Sequence, residues 1–285
     1  MTWHAQLKLD YRSSSGKTLL DFSHNGPLRI LQSLYPEGDA VCNNVLVHPP
    51  GGVAGGDDLD ITVHVAEGAH ALITTPGATR FYKTSGDAAI QRTRVKLLDG
   101  ARLEWLPLEN IAYSGCIAEN RLQLELAPSA QMIGWDITAL GLPAAEQPFE
   151  RGQFTLHTEL LHPMSSEGCH SPWLERGRIA ADDRRLLKSP IGMNGHTCLA
   201  TLFFIAGRAI DTPATELFLS KSREIIAAHP LHATAGVTRA QSQVIVLRAL
   251  CDHTEEALSL CKAVRGAWRE IGWGLPPTLP RIWAM

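Results

Sequence analysis

Leu59-Asp60-Ile61-Thr62-Val63-His64-Val65, followed by Ala66-Glu67-Gly68 and then Ala69-His70-Ala71-Leu72-Ile73, is the stretch on which the fold turns. A period of two puts Leu59, Ile61, Val63 and Val65 on one face of a β-strand, whereas a helix would scatter them around its circumference. Gly68 marks a tight turn, and the apolar run after it opens another strand. The alternation returns at Leu122, Leu124 and Leu126 against Arg121, Gln123 and Glu125, and again at Phe154, Leu156, Thr158 and Leu160. Turns at Glu67-Gly68-Ala69, Asp99-Gly100-Ala101 and Pro128-Ser129-Ala130 recur about every thirty residues. Strand, turn and strand at that interval predict units stacked on one continuous core, as a β-solenoid or a pair of facing sheets.

The last third changes character. Cys198–Ala206 is an apolar run of strand length, and Thr212-Pro213 opens a helical stretch to about Ala228, with proline where its missing N–H does no harm and Pro230 as the stop. A strand over Gln243–Leu250 precedes Thr254, which can cap a second helix with Glu255 and Glu256 at the positive end of its dipole. Leu258, Cys261, Val264, Trp268 and Ile271 give that helix one apolar face. The expected fold is mostly β, with stacked strand pairs in a β-helical, solenoid-like arrangement and two α-helices toward the C-terminus. A β-rich body over 1–190 and an α+β part over 191–285 form one domain, and the His162–Ser189 stretch reads as a loop-rich connection.

Composition excludes several functions. At 285 residues with 45% hydrophobic and 19% charged residues, the chain has the makings of a packed globule that needs no staple. A net charge of -3 and the lack of a long basic run speak against nucleic acid or an anionic membrane as partner. The N-terminus shows no export signal and no run is long enough to span a bilayer, so a soluble cytoplasmic protein is expected. Six cysteines without a C-x-x-C pair argue against a disulfide framework or a closed zinc site. Gly16-Lys17-Thr18 has Tyr11 where a phosphate-binding loop needs glycine, and the dinucleotide, zinc-protease and serine-hydrolase fingerprints do not occur. His157 with His162, Cys169-His170, and His229 with His232 lack the spacing of a metal site.

The densest segment is His48-Pro49-Pro50-Gly51-Gly52-Val53-Ala54-Gly55-Gly56-Asp57-Asp58, whose glycines let other groups approach the backbone closely. Asp57 can hydrogen-bond its own turn, or Asp57 and Asp58 can face a cavity as oxygen ligands. Further punctuated segments are Thr74-Thr75-Pro76-Gly77-Ala78-Thr79-Arg80-Phe81-Tyr82-Lys83, Glu104-Trp105-Leu106-Pro107-Leu108-Glu109-Asn110-Ile111, and Gly134-Trp135-Asp136-Ile137 leading to Leu140-Gly141-Leu142-Pro143-Ala144-Ala145-Glu146. Asp136 sits among apolar residues, so its carboxylate needs a partner: a cation, cavity water, or a structural arginine such as Arg80.

Taken in order, and ending in Pro280-Arg281-Ile282-Trp283, these blocks resemble the UreD (UreH) family of urease accessory proteins, from about residue 20 to the C-terminus. Leu142 and Leu108 depart from the Arg and Gln usual there. The resemblance implies a non-enzymatic scaffold that binds apo-urease and the accessory protein UreF, which carries the GTPase UreG, in an assembly dimeric through UreF. It implies no tightly bound cofactor, with Ni²⁺ in transit along a water-filled passage. Carried over by motif, the passage lining is Asp57, Asp58, Asp136 and Glu175, with Thr79 near a constriction and Arg80 beside it. Scattered carboxylates suit such a conduit, because a tight cage would hold the ion.

Two readings from other classes predict different features. A metal-dependent hydrolase would bring Asp57, Asp58 and Asp136 together with histidines around a preformed cation site. A binding module for sugars or peptides would expose an aromatic platform built from Trp105, Trp135 or Trp173.

Overall fold

The computed structural model describes residues 3–84, 86–161 and 172–284. In chain order the first strands are β1 (His4–Ser14), β2 (Lys17–Asn25), β3 (Arg29–Ile30), β4 (Val41–Val47), β5 (Asp58–Val65) and β6 (His70–Thr74). Next come β7 (Thr79–Phe81), β8 (Ala89–Leu97), β9 (Arg102–Leu106), β10 (Asn110–Ala112), β11 (Ile117–Leu126), β12 (Gln131–Leu142) and β13 (Gln147–Pro148). The remainder are β14 (Gln153–Leu161), β15 (Trp173–Ala180), β16 (Cys198–Ala206), β17 (Ala235–Gln241) and β18 (Val244–Cys251), with helices α1 (Arg184–Lys188), α2 (Thr212–Ala227) and α3 (Thr254–Trp273).

The chain winds between two sheets. One has the order β15-β14-β11-β8-β5-β1-β2, and the other runs β17-β18-β16-β12-β9-β6-β4-β3 with β7, β10 and β13 attached. Each coil lays a strand in the first sheet, turns, and lays a strand in the second: β5 then β6, β8 then β9, β11 then β12. Successive coils pair in parallel, with Val65 opposite Leu97 and Leu97 opposite Leu126. The thirty-residue recurrence is this coil length, and the solenoid and the facing sheets are one arrangement. The turns stack as well: Gly68 N donates to Asp99 O at 3.1 Å, and Ser129 Oγ donates to Asp99 Oδ1 at 2.6 Å. Gly68 and Gly100 hold φ of +67° and +66°, which a Cβ disfavours.

Between the sheets lies the first core, including Leu59, Ile61, Val63, Val65, Leu97, Leu124 and Phe154. A second core lies outside the second sheet, where α2 and α3 pack Phe218, Leu260, Cys261, Val264 and Trp268 against Trp135, Leu202 and Phe204. That sheet is therefore covered on both sides, which is why β16 is so continuously apolar. No helix among the described residues is long and apolar enough to cross a membrane.

Several local expectations need correction. The second helix starts at Thr254, but its N-cap position is His253, with no side-chain capping bond. Of the loop-rich connection, residues 162–171 lie outside the described residues, and the rest holds β15 and the five-residue α1, making three helices among the described residues. The inward positions of β15 include Glu175 and Gly177, so no apolar alternation advertises the strand. The buried face of α3 is also broader than the apolar stripe, since it includes Arg265 and Arg269. Both arginines are fully buried beside Glu104 of β9, which stands opposite Leu72 and Ile133 and faces the helix.

Candidate polar passage between the sheets

Strand periodicity locates the site. On the inward faces the apolar pattern breaks at Gln91, Asn120, Thr158 and Glu175 in one sheet, and at Asp136, Thr138, Thr201 and Arg248 in the other. Register brings these breaks together: Gln91 pairs with Asn120, Thr158 with Glu175, Asp136 with Thr201, and Thr201 with Arg248.

Asp136 sits at the centre. It is half-buried, and its Oδ2 accepts from Asn110 Nδ2 at 3.1 Å and from Asn120 Nδ2 at 2.9 Å, while Oδ1 accepts from Thr138 Oγ1 at 2.7 Å. The partners are two amides and a hydroxyl, and the exposed Arg80 has no part in them. Burial pushes the Asp136 carboxyl above its ordinary value; the three hydrogen bonds pull it down and the charge of Glu175 adds to the rise. Either amide can turn its oxygen toward a cation, so the cage can change from donor to ligand without backbone movement.

Asp136 and Glu175 line one cavity of about 180 Å³, with Leu156, Thr158, Thr201 and Phe203. Glu175 also meets Arg248, which lies outside this lining, through Nε at 3.1 Å and Nη2 at 2.7 Å. Thr79 and Arg80 line a second cavity of about 190 Å³, together with His48, Gly52, Thr75 and Gln91. Burial lowers the His48 imidazole against the pull of Asp57, and its buried Nε2 has no hydrogen-bond partner among the described residues. Polar groups join the two cavities: Gln91 Nε2 donates to Asn120 Oδ1 at 3.2 Å, and Asn120 donates to Asp136. Asn110 gives a parallel link, standing opposite Thr79 on one side and Thr138 on the other.

Asp57 and Asp58 stand apart from the Asp136 cavity. Asp57 Oδ2 accepts the Ala54 N–H at 2.9 Å and Oδ1 the Trp3 N–H at 3.1 Å, so the carboxylate holds the glycine-rich turn against the N-terminal strand. Asp58 pairs with Arg92 on the outer face of the first sheet. The glycines of this segment admit side chains: a Cβ on Gly52 would meet the Tyr82 ring at 2.3 Å, and one on Gly55 would meet Thr84 Oγ1 at 1.8 Å. Asp57→Ala leaves two N–H groups without their acceptor and is expected to cost about 1–3 kcal/mol in urea unfolding; a loss below about 0.5 kcal/mol would show that the turn holds itself.

Sequence reasoning missed Gln91, Asn120, His48 and Arg248. The signal for three of them was present as a polar residue at an inward position of an apolar strand. Reading it required the register, which sets which residue faces in.

No group of three or more His, Cys, Asp or Glu residues that could hold a metal occurs among the described residues. Trp105, Trp135 and Trp173 are 7%, 1% and 6% exposed, which overturns the aromatic platform. Trp105 and Trp173 pack into the core between the sheets, and Trp135 packs into the core beneath the helices.

A family model described as UreD urease accessory protein matches residues 4–284. The chain belongs to the UreD family. It is 55% identical over 284 residues to the urease accessory protein UreD of Variovorax paradoxus (strain S110), covering all of both chains. It is also 55% identical over 285 residues to that of Polaromonas sp. (strain JS666 / ATCC BAA-500), again covering all of both, and 48% identical to that of Leptothrix cholodnii, covering 99% of each. Of the blocks that carry the UreD resemblance, T-T-P-G-A-T-R leads into β7, the Glu104 block spans β9 and β10, and the Asp136 block runs along β12 and past its end at Leu142.

Proposed function

We propose that this chain is a non-catalytic accessory protein of urease maturation that lets Ni²⁺ pass between its two sheets on the way to the urease active site. It works in the cytoplasm as a scaffold, with apo-urease on one side and UreF, carrying the GTPase UreG, on the other, in an assembly that pairs through UreF. The observation that supports the conduit is the unbroken line of polar side chains from the Thr79 cavity through Gln91, Asn120 and Asp136 to the Glu175 cavity, laid through an apolar core. Buried polar groups cost stability unless they are satisfied, and a fold that needed only stability would fill these positions with Leu or Val.

The donor set fits cargo in passage. Amide and hydroxyl oxygens and two carboxylates replace part of the ion's hydration without the strong grip of thiolates, and His48 offers one nitrogen near the other end. The exposed Leu31, Leu34 and Leu279 lie beside a groove lined by Leu34, Tyr35, Val45, Leu72 and Ile282, an apolar rim of the kind a scaffold offers its partners.

The test is co-expression of urease subunits and the other accessory proteins with and without this chain, scored by co-purification and by nickel per urease. Without the chain, nickel should fall to background. Equal loading in its absence, or failure to co-purify with any of these proteins, would end the reading.

A further inference from the structure

We propose that Arg248 is a latch on the Asp136 cavity: its guanidinium holds Glu175 across the open edge between the two sheets, and a divalent cation gets past only when that pair opens. The inference rests on the conduit reading and adds to it a residue that no motif singled out.

The geometry carries it. Asp136, Thr201 and Arg248 form one cross-strand row on the inward face of the second sheet. Adjacent strands lie about 4.8 Å apart, so the backbone of Arg248 stands roughly 10 Å from that of Asp136, toward the sheet edge. Glu175 reaches in from β15, the edge strand of the other sheet, and lines the same cavity as Asp136. The Glu175–Arg248 contact is two-pronged, at 3.1 and 2.7 Å, and joins the sheets where neither has a further strand between them and solvent except β17.

The position matters more than the strength. Side chains of Arg248 and Glu175 are 47% and 30% exposed, and ion pairs that wet contribute little to folding and open without unfolding anything. A guanidinium stays charged at any physiological pH, so the latch cannot be released by losing its proton. While closed, it cancels one of the two cavity carboxylates and sets a positive charge on the path of a cation. Once open, Asp136 and Glu175 face the cavity from opposite sheets, with Arg176 and Arg178 of β15 the other charged residues in its lining, and a divalent ion between the two acids relieves their repulsion. Burial is the main cause that pushes the Asp136 carboxyl upward, the three hydrogen bonds oppose it, and the Glu175 charge adds a smaller push in the same direction.

The experiment measures Ni²⁺ binding to the purified full-length chain by equilibrium dialysis, and nickel per urease after co-expression. Arg248→Gln should bind Ni²⁺ at least about tenfold more tightly than the wild type, the scale set by removing one opposite charge from a carboxylate pair. Arg248→Lys should stay near the wild type, and Arg248→Gln combined with Glu175→Gln should lose the gain. Thermal unfolding should be unchanged for all three, which separates the latch from a structural tie. Unchanged Ni²⁺ affinity in Arg248→Gln, with Asp136→Asn and Glu175→Gln still lowering nickel per urease, would overturn the latch and leave the conduit standing. Full nickel per urease in Asp136→Asn and Glu175→Gln would remove the conduit and the latch with it.

Discussion

Glu104→Ala should cost about 3–5 kcal/mol of folding stability, the largest single loss expected in this molecule, because it leaves the buried Arg265 guanidinium without its counter-charge and Arg269 with Glu37 alone. Glu104, Arg265 and Arg269 are each 0% exposed. Arg265 Nε donates to Glu104 Oε2 at 2.6 Å, Arg269 Nε lies 3.5 Å from Oε1, and His70 Nε2 lies 3.4 Å from the same oxygen. Arg269 also holds Glu37 at 2.5 Å, and both arginines donate to Thr278 O, at 2.6 and 3.1 Å. The cluster thus ties α3, the loop before β4 and the C-terminal segment to the middle of the second sheet.

Replacing Glu104, Arg265 and Arg269 together by Met, Leu and Met, in a Glu37→Gln background so that Glu37 is not left charged without Arg269, should recover most of the loss, since the cost comes from an unpaired buried charge and not from the absence of a pair. The acid limb gives a further check. Burial works to raise the Glu104 carboxyl, but Arg265, the His70 hydrogen bond and Arg269 outweigh it and hold it below its ordinary value. A carboxyl lowered by folding contributes stability above its unfolded value, lost as the pH falls through the native one. Wild-type stability should therefore drop more steeply in acid than that of the triple variant. A Glu104→Ala loss below about 1 kcal/mol in urea unfolding would show that water or another group relieves the arginines.

Asp136→Ala should lower the nickel content of co-expressed urease at least about tenfold, with the complex still forming. A unit charge 4 Å from another at an effective dielectric of about 20 amounts to roughly 4 kcal/mol, and a divalent cargo doubles the pull, so the loss of this carboxylate raises the barrier well past one decade in rate. Asp136→Asn should separate transport from folding. Because folding lifts this carboxyl above its ordinary 3.8, the native state keeps a proton that the unfolded chain releases, and wild-type stability falls as the pH rises through that window. The Asn variant does not titrate there. It should be at least as stable as the wild type at neutral pH while still carrying less nickel. Normal nickel loading in Asp136→Ala, with the complex intact, would take this residue off the path.

The two expectations treat buried charge in opposite ways. At Glu104 the carboxylate is enclosed by cations and anchors the helix layer. At Asp136 it is held by neutral donors beside a cavity, where burial leaves it short of positive charge. The sequence places both acids in punctuated blocks of similar appearance, and nothing local distinguishes them. Glu104 faces the helices and Asp136 faces the opposite sheet, a difference that comes from strand register and from what covers each side of the second sheet.

Coil length, the inward alternation of β5, β11 and β14, and the spans of β16 and α2 could be read from the amino acids alone, because strand and helix periods and proline stops are local properties. The assembly of Asp136 with Asn110, Asn120 and Glu175, the arginines beneath α3, and the pairing of Glu175 with Arg248 across 73 residues were decided only when the coils stacked. Which side chains then meet depends on register between strands remote in the chain, and no local preference carries that information.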